Sequence, residues 1–231
     1  MKNEHERPLS VGLRAARANL VPGLLIQAAV VALVLAYYFW EPARARLAYL
    51  AEFKREGGYL FSLVSGILAG GLLPELLKVA VFQKGKVGRE NLSSFAFGAC
   101  FWGLMAVVVD AFYRAQAWTF GSGVDFTTVL TKTAVDQFVF TPFITIPLTV
   151  VAFEWRHAGY RFSGVLRMLG LDFFRRKVLP AVVSGIGFWL PVVVFVYCLP
   201  LPLQFPLFTL ALTLWVMIFT WISHAHKESS S

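Results

Sequence analysis

LVPGLLIQAAVVALVLAYYFW, residues 20–40, decides the fold. These 21 residues hold one strongly polar side chain, Gln27, and end in Tyr37, Tyr38 and Trp40. About 20 apolar residues in a helix cross the ~30 Å of hydrocarbon in a bilayer, and amphipathic aromatics favour its edges. The stretch reads as a membrane span. A cleaved signal peptide competes with that reading, because Ala43-Arg44-Ala45 has the small-x-small form of a cleavage site. A signal's apolar core is only about 7 to 15 residues long, so cleavage is not expected.

The remainder of the 231 residues has the same character. Apolar residues make up 58%, aromatic ones 16% and charged ones only 15%, with a mean hydropathy of +0.66. That balance lies outside the range of soluble globular domains. Further apolar blocks occupy residues 59–82, 95–113, about 129–153, 178–199 and 203–223. Pro200, Leu201 and Pro202 alone separate the last two, which predicts a tight helical hairpin. The expected fold is an all-α polytopic membrane bundle of about six transmembrane helices, five if the first block does not cross. One membrane domain covers residues 20–223, with a cytoplasmic segment at 1–19 and a cytoplasmic tail at 224–231.

Charge in the connections sets the orientation. Sorting Lys and Arg by alternate sides places fourteen on one side, among them Lys84, Lys86, Arg89, Arg175, Arg176 and Lys177, and six on the other: Arg44, Arg46, Lys54, Arg55, Arg114 and Lys132. Short basic loops stay cytoplasmic, so both termini should lie inside. Five spans would place the C terminus on the opposite side. The net charge of +8 needs no nucleic acid to explain it; basic loops beside a membrane attract anionic lipid headgroups. Residues 161–177, RFSGVLRMLGLDFFRRK, alternate apolar and basic residues and predict an amphipathic helix on the cytoplasmic leaflet.

Several chemistries find no support in the residues. Cys100 and Cys198 lie far apart inside apolar blocks and read as packed thiols. His5, His157, His224 and His226 have no metal-ligand spacing. Asn91-Leu92-Ser93 matches the glycosylation triplet but falls on the cytoplasmic side. No nucleophile, metal, phosphate or cofactor motif is present, and an enzyme is not expected.

What stands out is charge within the spans. Glu75, Lys78, Asp110 and Asp136 would each cost roughly 2.5 to 3.5 kcal/mol at a helix centre facing lipid, so they should point inward. Glu75 and Lys78 are three residues apart, Lys132 and Asp136 four, and each pair is expected to bond within its own helix. Residues 132–143, KTAVDQFVFTPF, add Gln137, Thr141 and Pro142, with Thr145 and Pro147 beyond. Each proline removes a backbone donor and frees a carbonyl upstream. Pro74 does the same beside Glu75. Broken helices with charge at the breaks point to a midplane site or pore lining. Gly66 and Gly70, one and two turns after Ser62, form a small-xxx-small stripe for close helix packing.

The spacing of Lys132, Asp136-Gln137 and Pro142, then Trp189 with Pro191, Pro200 and Trp215, resembles the Mpv-seventeen family, which includes the peroxisomal membrane protein of twenty-two kilodaltons. The resemblance covers residues 59–223. It implies a small integral protein of mitochondrial inner or peroxisomal membranes, usually described with four spans and as a weakly selective or non-selective channel for small solutes. The chain departs from that pattern where Pro74-Glu75 replaces the family's Gly-Asp pair, where Gln204 stands for an Arg after the late Pro, and where Phe195 and Val196 replace Asn-Phe. It also has the extra block at 20–40, and its start, MKNEHERPLS, is acidic as well as basic, unlike a mitochondrial transit peptide. A bacterial-type member in the cytoplasmic membrane is therefore expected, with the mitochondrial inner membrane as the alternative.

Sequence supports two readings of function. In the first the protein is a channel for small solutes, lined by Lys132, Asp136 and Gln137 on one face and by Glu75 and Lys78 on another, with Asp110 nearby. In the second these charges only lock helices together, and the protein is structural or stress-linked. Self-association into a homo-oligomer is compatible with both.

Overall fold

The computed structural model describes residues 13, 17, 20–161 and 170–228, with side chains through Met217. Six helical rods succeed one another: α1 (Leu20–Phe39), α2 (Glu41–Phe82), α3 (Arg89–Phe120), α4 (Phe126–His157), α5 (Leu171–Tyr197) and α6 (Leu201–Glu228). Among the described residues there is no strand. The fold is all-α, and five helices, α1 to α5, are long and apolar enough to cross a bilayer. In α6 the described apolar stretch is shorter, Leu201–Met217.

Helices run alternately up and down, and contacts at their ends show it. At one end the Tyr38 hydroxyl of α1 donates to the Cys198 carbonyl in the α5–α6 turn, and Gln116 of α3 meets Tyr197 of α5. At the other, Arg156 of α4 donates to Ser94 of α3 at 2.6 Å, and Lys177 of α5 pairs with Glu154 at 2.8 Å. The first end carries the hairpin turn, where the Leu203 N–H donates to the Pro200 carbonyl at 2.8 Å.

Large apolar side chains such as Leu25, Leu104 and Phe143 face outward, as lipid-facing residues must, while the core is built on α5 and α6. Val192, Val196, Tyr197 and Ala211 are fully enclosed there. Two tryptophans pack against this core: Trp215 stacks on Phe188 with centroids 4.1 Å apart, and Trp189 lies 5.3 Å from Phe208.

The glycine stripe acts at the α2–α3 contact. A Cβ on Gly66 would sit 2.5 Å from Ala106 Cβ and would also strike the Trp102 carbonyl; one on Gly71 would sit 2.8 Å from the Ala99 nitrogen. Gly70 faces the Trp102 ring at equally close range. The two backbones meet because no side chain separates them.

Four expectations change. The run between the first two blocks is no loop, because α2 starts at Glu41. Its sequence, EPARARLAYLAEFKREG, is rich in strong helix formers, with Pro42 in the first turn where a missing N–H is harmless. The helix then kinks at Gly58, whose φ of 51° and ψ of −130° suit glycine.

Second, the proline-containing helices are widened, not broken. Residues Ile67–Leu72 before Pro74, Asp136–Thr145 around Pro142, and Phe174–Val178 before Pro180 are π-helical. In each, an N–H reaches five residues back: Leu73 to the Leu68 carbonyl, Ile146 to Thr141, Leu179 to Phe174. A wide turn accommodates the carbonyls that a proline cannot serve.

Third, Cys100 is exposed on α3 and not packed, while Cys198 is half-buried. Fourth, the amphipathic segment lies partly at 162–169, outside the described residues, and from Leu171 onward its residues already belong to α5. Most of the expected terminal segments also fall outside the described residues.

Candidate functional site

Asp136 opens the π-helical stretch of α4, one turn after Lys132. Its carboxylate is enclosed and receives three hydrogen bonds: the Tyr197 hydroxyl donates to Oδ2 at 2.7 Å, and Gln137 Nε2 and Thr141 Oγ1 donate to Oδ1 at 2.9 and 3.3 Å. Gln116 Nε2 donates to the Tyr197 oxygen. The directions are forced. The single Tyr197 proton goes to Asp136, so Gln116 must turn its amide nitrogen to Tyr197, and Gln137 must do the same toward Asp136. Both amide oxygens are left without a partner, as is Thr133 Oγ1.

Lys132 does not bond Asp136, which corrects the expected pairing within the helix. Its side chain is 0% exposed and its ammonium has no hydrogen-bond partner. Its favourable interactions are the face of Tyr197, whose centroid lies 5.8 Å from Nζ, and a through-space attraction to Asp125 two turns earlier. Such a cation–π contact contributes about 2 kcal/mol when desolvated. That is far short of what hydration gave the ion.

Asp110 forms a second cluster, in which the charges are paired. Lys54 Nζ and Ser62 Oγ each donate to Oδ2 at 2.7 Å, and Arg114 Nε lies 3.5 Å away. Lys54 also donates to Ser62 Oγ and to the Gly58 carbonyl, both at 3.0 Å, and its ammonium sits 5.6 and 5.2 Å from the rings of Phe61 and Phe205. Lys54, expected in a loop, is 3% exposed. The Gly58 kink is what brings it there: the helix bends, and the carbonyl at the bend becomes one of its partners.

Glu75 and Lys78 pair within α2 at 2.6 Å, as their spacing predicts, and Asn91 Nδ2 donates to the second Glu75 oxygen at 3.0 Å. Asn91 Oδ1 accepts the Gly88 N–H at 2.9 Å, so the same side chain caps α3. This pair is not part of the Asp136 layer. Asn91 and Gln116 stand near opposite ends of α3, roughly 37 Å apart at 1.5 Å per residue. The two faces expected to line one route therefore lie at different membrane levels. Asp110 is closer to Asp136, with Tyr113 between: Tyr113 and Tyr197 meet edge to face, centroids 5.3 Å apart.

Pro142 is in the π-helical stretch; Thr145 at its end and Thr149 one turn beyond each return a hydroxyl to the carbonyl four residues back, at 3.2 and 2.7 Å. Gln204 is fully buried and donates to the Leu199 carbonyl at 2.8 Å, bracing the hairpin. A cavity of about 320 Å³ lies elsewhere, between α1 and α5, bordered by Leu20, Gly23, Gln27, Ser184, Phe188 and Trp215. In its wall Gln27, the polar residue of the opening span, donates to the Phe188 carbonyl at 3.1 Å.

Sequence reasoning missed Lys54, Gln116, Tyr197 and Asn91. Gln116 and Lys54 sit near the ends of apolar blocks and read as interfacial. Tyr197 closes one, where an aromatic is ordinary. No family model, curated protein or solved structure matches this chain.

Proposed function

We propose that the protein is an integral membrane channel for small solutes, with its route passing the Lys132, Asp136, Gln137 and Tyr197 layer. The observation that carries this reading is the unpartnered Lys132 ammonium among unpartnered amide oxygens, inside a helix long and apolar enough to span. Leaving a buried polar group unmet costs about 1–3 kcal/mol, and more for a charge. A purely structural layer would be expected to close those valences. A layer that handles water or solute needs them free. The π-helical stretch beginning at Asp136 supplies a loosened segment of backbone beside the site. Spacing of Lys132, Asp136, Gln137 and Pro142 supports a distant Mpv-seventeen-like member, and the basic connections support a cytoplasmic membrane with both termini inside.

The helix-lock reading has its own observation, the fully paired Asp110 cluster, and applies there. Flux through proteoliposomes tests the assignment, wild type beside Asp136→Asn at matched folded yield. Solute passage that the substitution alters supports a route through the layer. Tight vesicles for both, with an earlier-melting mutant, would reduce the layer to a second helix lock.

A further inference from the structure

We infer that the Lys132 layer is a station for a small monovalent anion, so that the open route favours anions over cations. The inference rests on the route proposed above and names what it selects. It comes from how unequally the two opposite charges of the layer are served.

Asp136 is saturated. Three donors from Tyr197, Gln137 and Thr141 point their positive ends at its two oxygens. The charge remains, but each donor dipole screens part of its field and occupies a site that a cation would need. Lys132, one helical turn away, has no such shell: no acceptor meets its three protons, and a single ring face lies 5.8 Å off. An ion arriving in the layer therefore meets a bare ammonium and a muffled carboxylate. The surroundings are balanced: Asp110 of α3 stands against Lys54 of α2 and Arg114 of α3, and Asp125 at the start of α4 attracts Lys132 through space. The bias therefore lies in the unequal hydrogen bonding of Asp136 and Lys132. Asp125, at the start of α4, is exposed and held by the Thr128 hydroxyl and N–H, at 2.7 and 3.1 Å.

The remaining free valences fit a partly hydrated anion. The ammonium takes the ion; water carried with it donates to the Gln116 and Gln137 oxygens, which can only accept. A cation would confront the ammonium and find Asp136 already occupied. A dianion would leave one charge uncompensated at a buried site. In this structure the layer is sealed, with these atoms shielded from solvent. Passage requires α4 and α5 to part, and α4 is loosened from Asp136 onward.

Reversal potentials of the purified protein in planar bilayers under a potassium chloride gradient test this. Wild type should reverse toward the chloride equilibrium potential. Lys132→Arg should keep that sign, whereas Lys132→Gln and Lys132→Met should move it to zero or toward potassium, with folded yield and melting temperature checked in parallel. A cation preference in wild type, or a chloride preference that survives both Lys132→Gln and Lys132→Met, overturns the anion station and leaves the route standing. Silent bilayers beside proteoliposomes that pass glycerol would overturn it in the same way. Silence in both assays would overturn the route as well.

Discussion

Asp110 and Asp136 are both enclosed aspartates in spans of this bundle, each with a lysine within reach, and they end in opposite states. Asp110 draws a lysine from 56 residues away and shares it with Ser62 and the Gly58 carbonyl. Asp136 leaves the lysine one turn away unused and takes neutral donors instead. Where the lysine and aspartate are paired, the two helices are also at their tightest, glycine against backbone. Where valences are left over, an ammonium and two amide oxygens sit enclosed without a partner. The difference separates a region built to stay shut from one built to change partners.

The largest expected effect breaks the shut region. Asp110→Leu should lose about 3–5 kcal/mol by stranding Lys54 in a dry site, whereas Asp110→Leu with Lys54→Met should recover most of that loss. Denaturant unfolding in detergent micelles measures both; a double variant as weak as the single one would mean that the cluster does more than balance charge. Next come the glycine contacts. Gly66→Ala should cost about 1–3 kcal/mol because backbone blocks the new methyl. Gly185→Ala, whose Cβ meets the tip of Ile146 at 3.2 Å and the edge of Trp189 at 4.0 Å, should be neutral or slightly stabilising. Equal melting shifts for the two would erase the contrast between tight and loose interfaces.

Lys132→Met sharpens the comparison through its sign. Removing a buried, unmet ammonium should raise stability, by about 1 kcal/mol, where Lys54→Met lowers it. A thermal melt of Lys132→Met below wild type would show that Lys132 has a partner after all. The smallest effect is at Asp125, outside the spans. The Thr128 hydroxyl and N–H hold its carboxyl below its ordinary value of 3.8. A depressed folded value means that this cap contributes above the unfolded pKa and fades as pH falls through the folded one. Asp125→Ala should therefore melt slightly below wild type at neutral pH, and the two curves should converge in strong acid. A gap that persists there would assign the effect to packing.

Much of the architecture was legible from residues because burial in lipid writes it locally. Apolar length located the five helices long enough to cross, Pro200 the hairpin, Gly66 and Gly70 the close helix pair, and a three-residue step the Glu75–Lys78 bond. Partner choice was not. Lys54 reaches Asp110 only because a helix forms where charge suggested a loop, and because Gly58 turns it inward. Tyr197 lies 61 residues from Asp136, and its hydroxyl meets the carboxylate only once α5 packs on α4. The i,i+4 rule failed at Lys132 because Gln137 and Thr141 of the same helix and Tyr197 of α5 serve Asp136 instead.

Gly58 also decides how much the chain can change its length. Between Gly58 and Gly71 each inserted or deleted residue would turn the following helix by about 100° and carry the glycines away from Trp102. Before Gly58 the demands are looser. Lys54 must reach Asp110, a lash that a flexible four-carbon stem can adjust, and Leu47 and Ala51 rest on the core only partly buried. Length variation should therefore be better tolerated in residues 41–53 than in 59–71, with the bend marking the border between an adjustable segment and a fixed one.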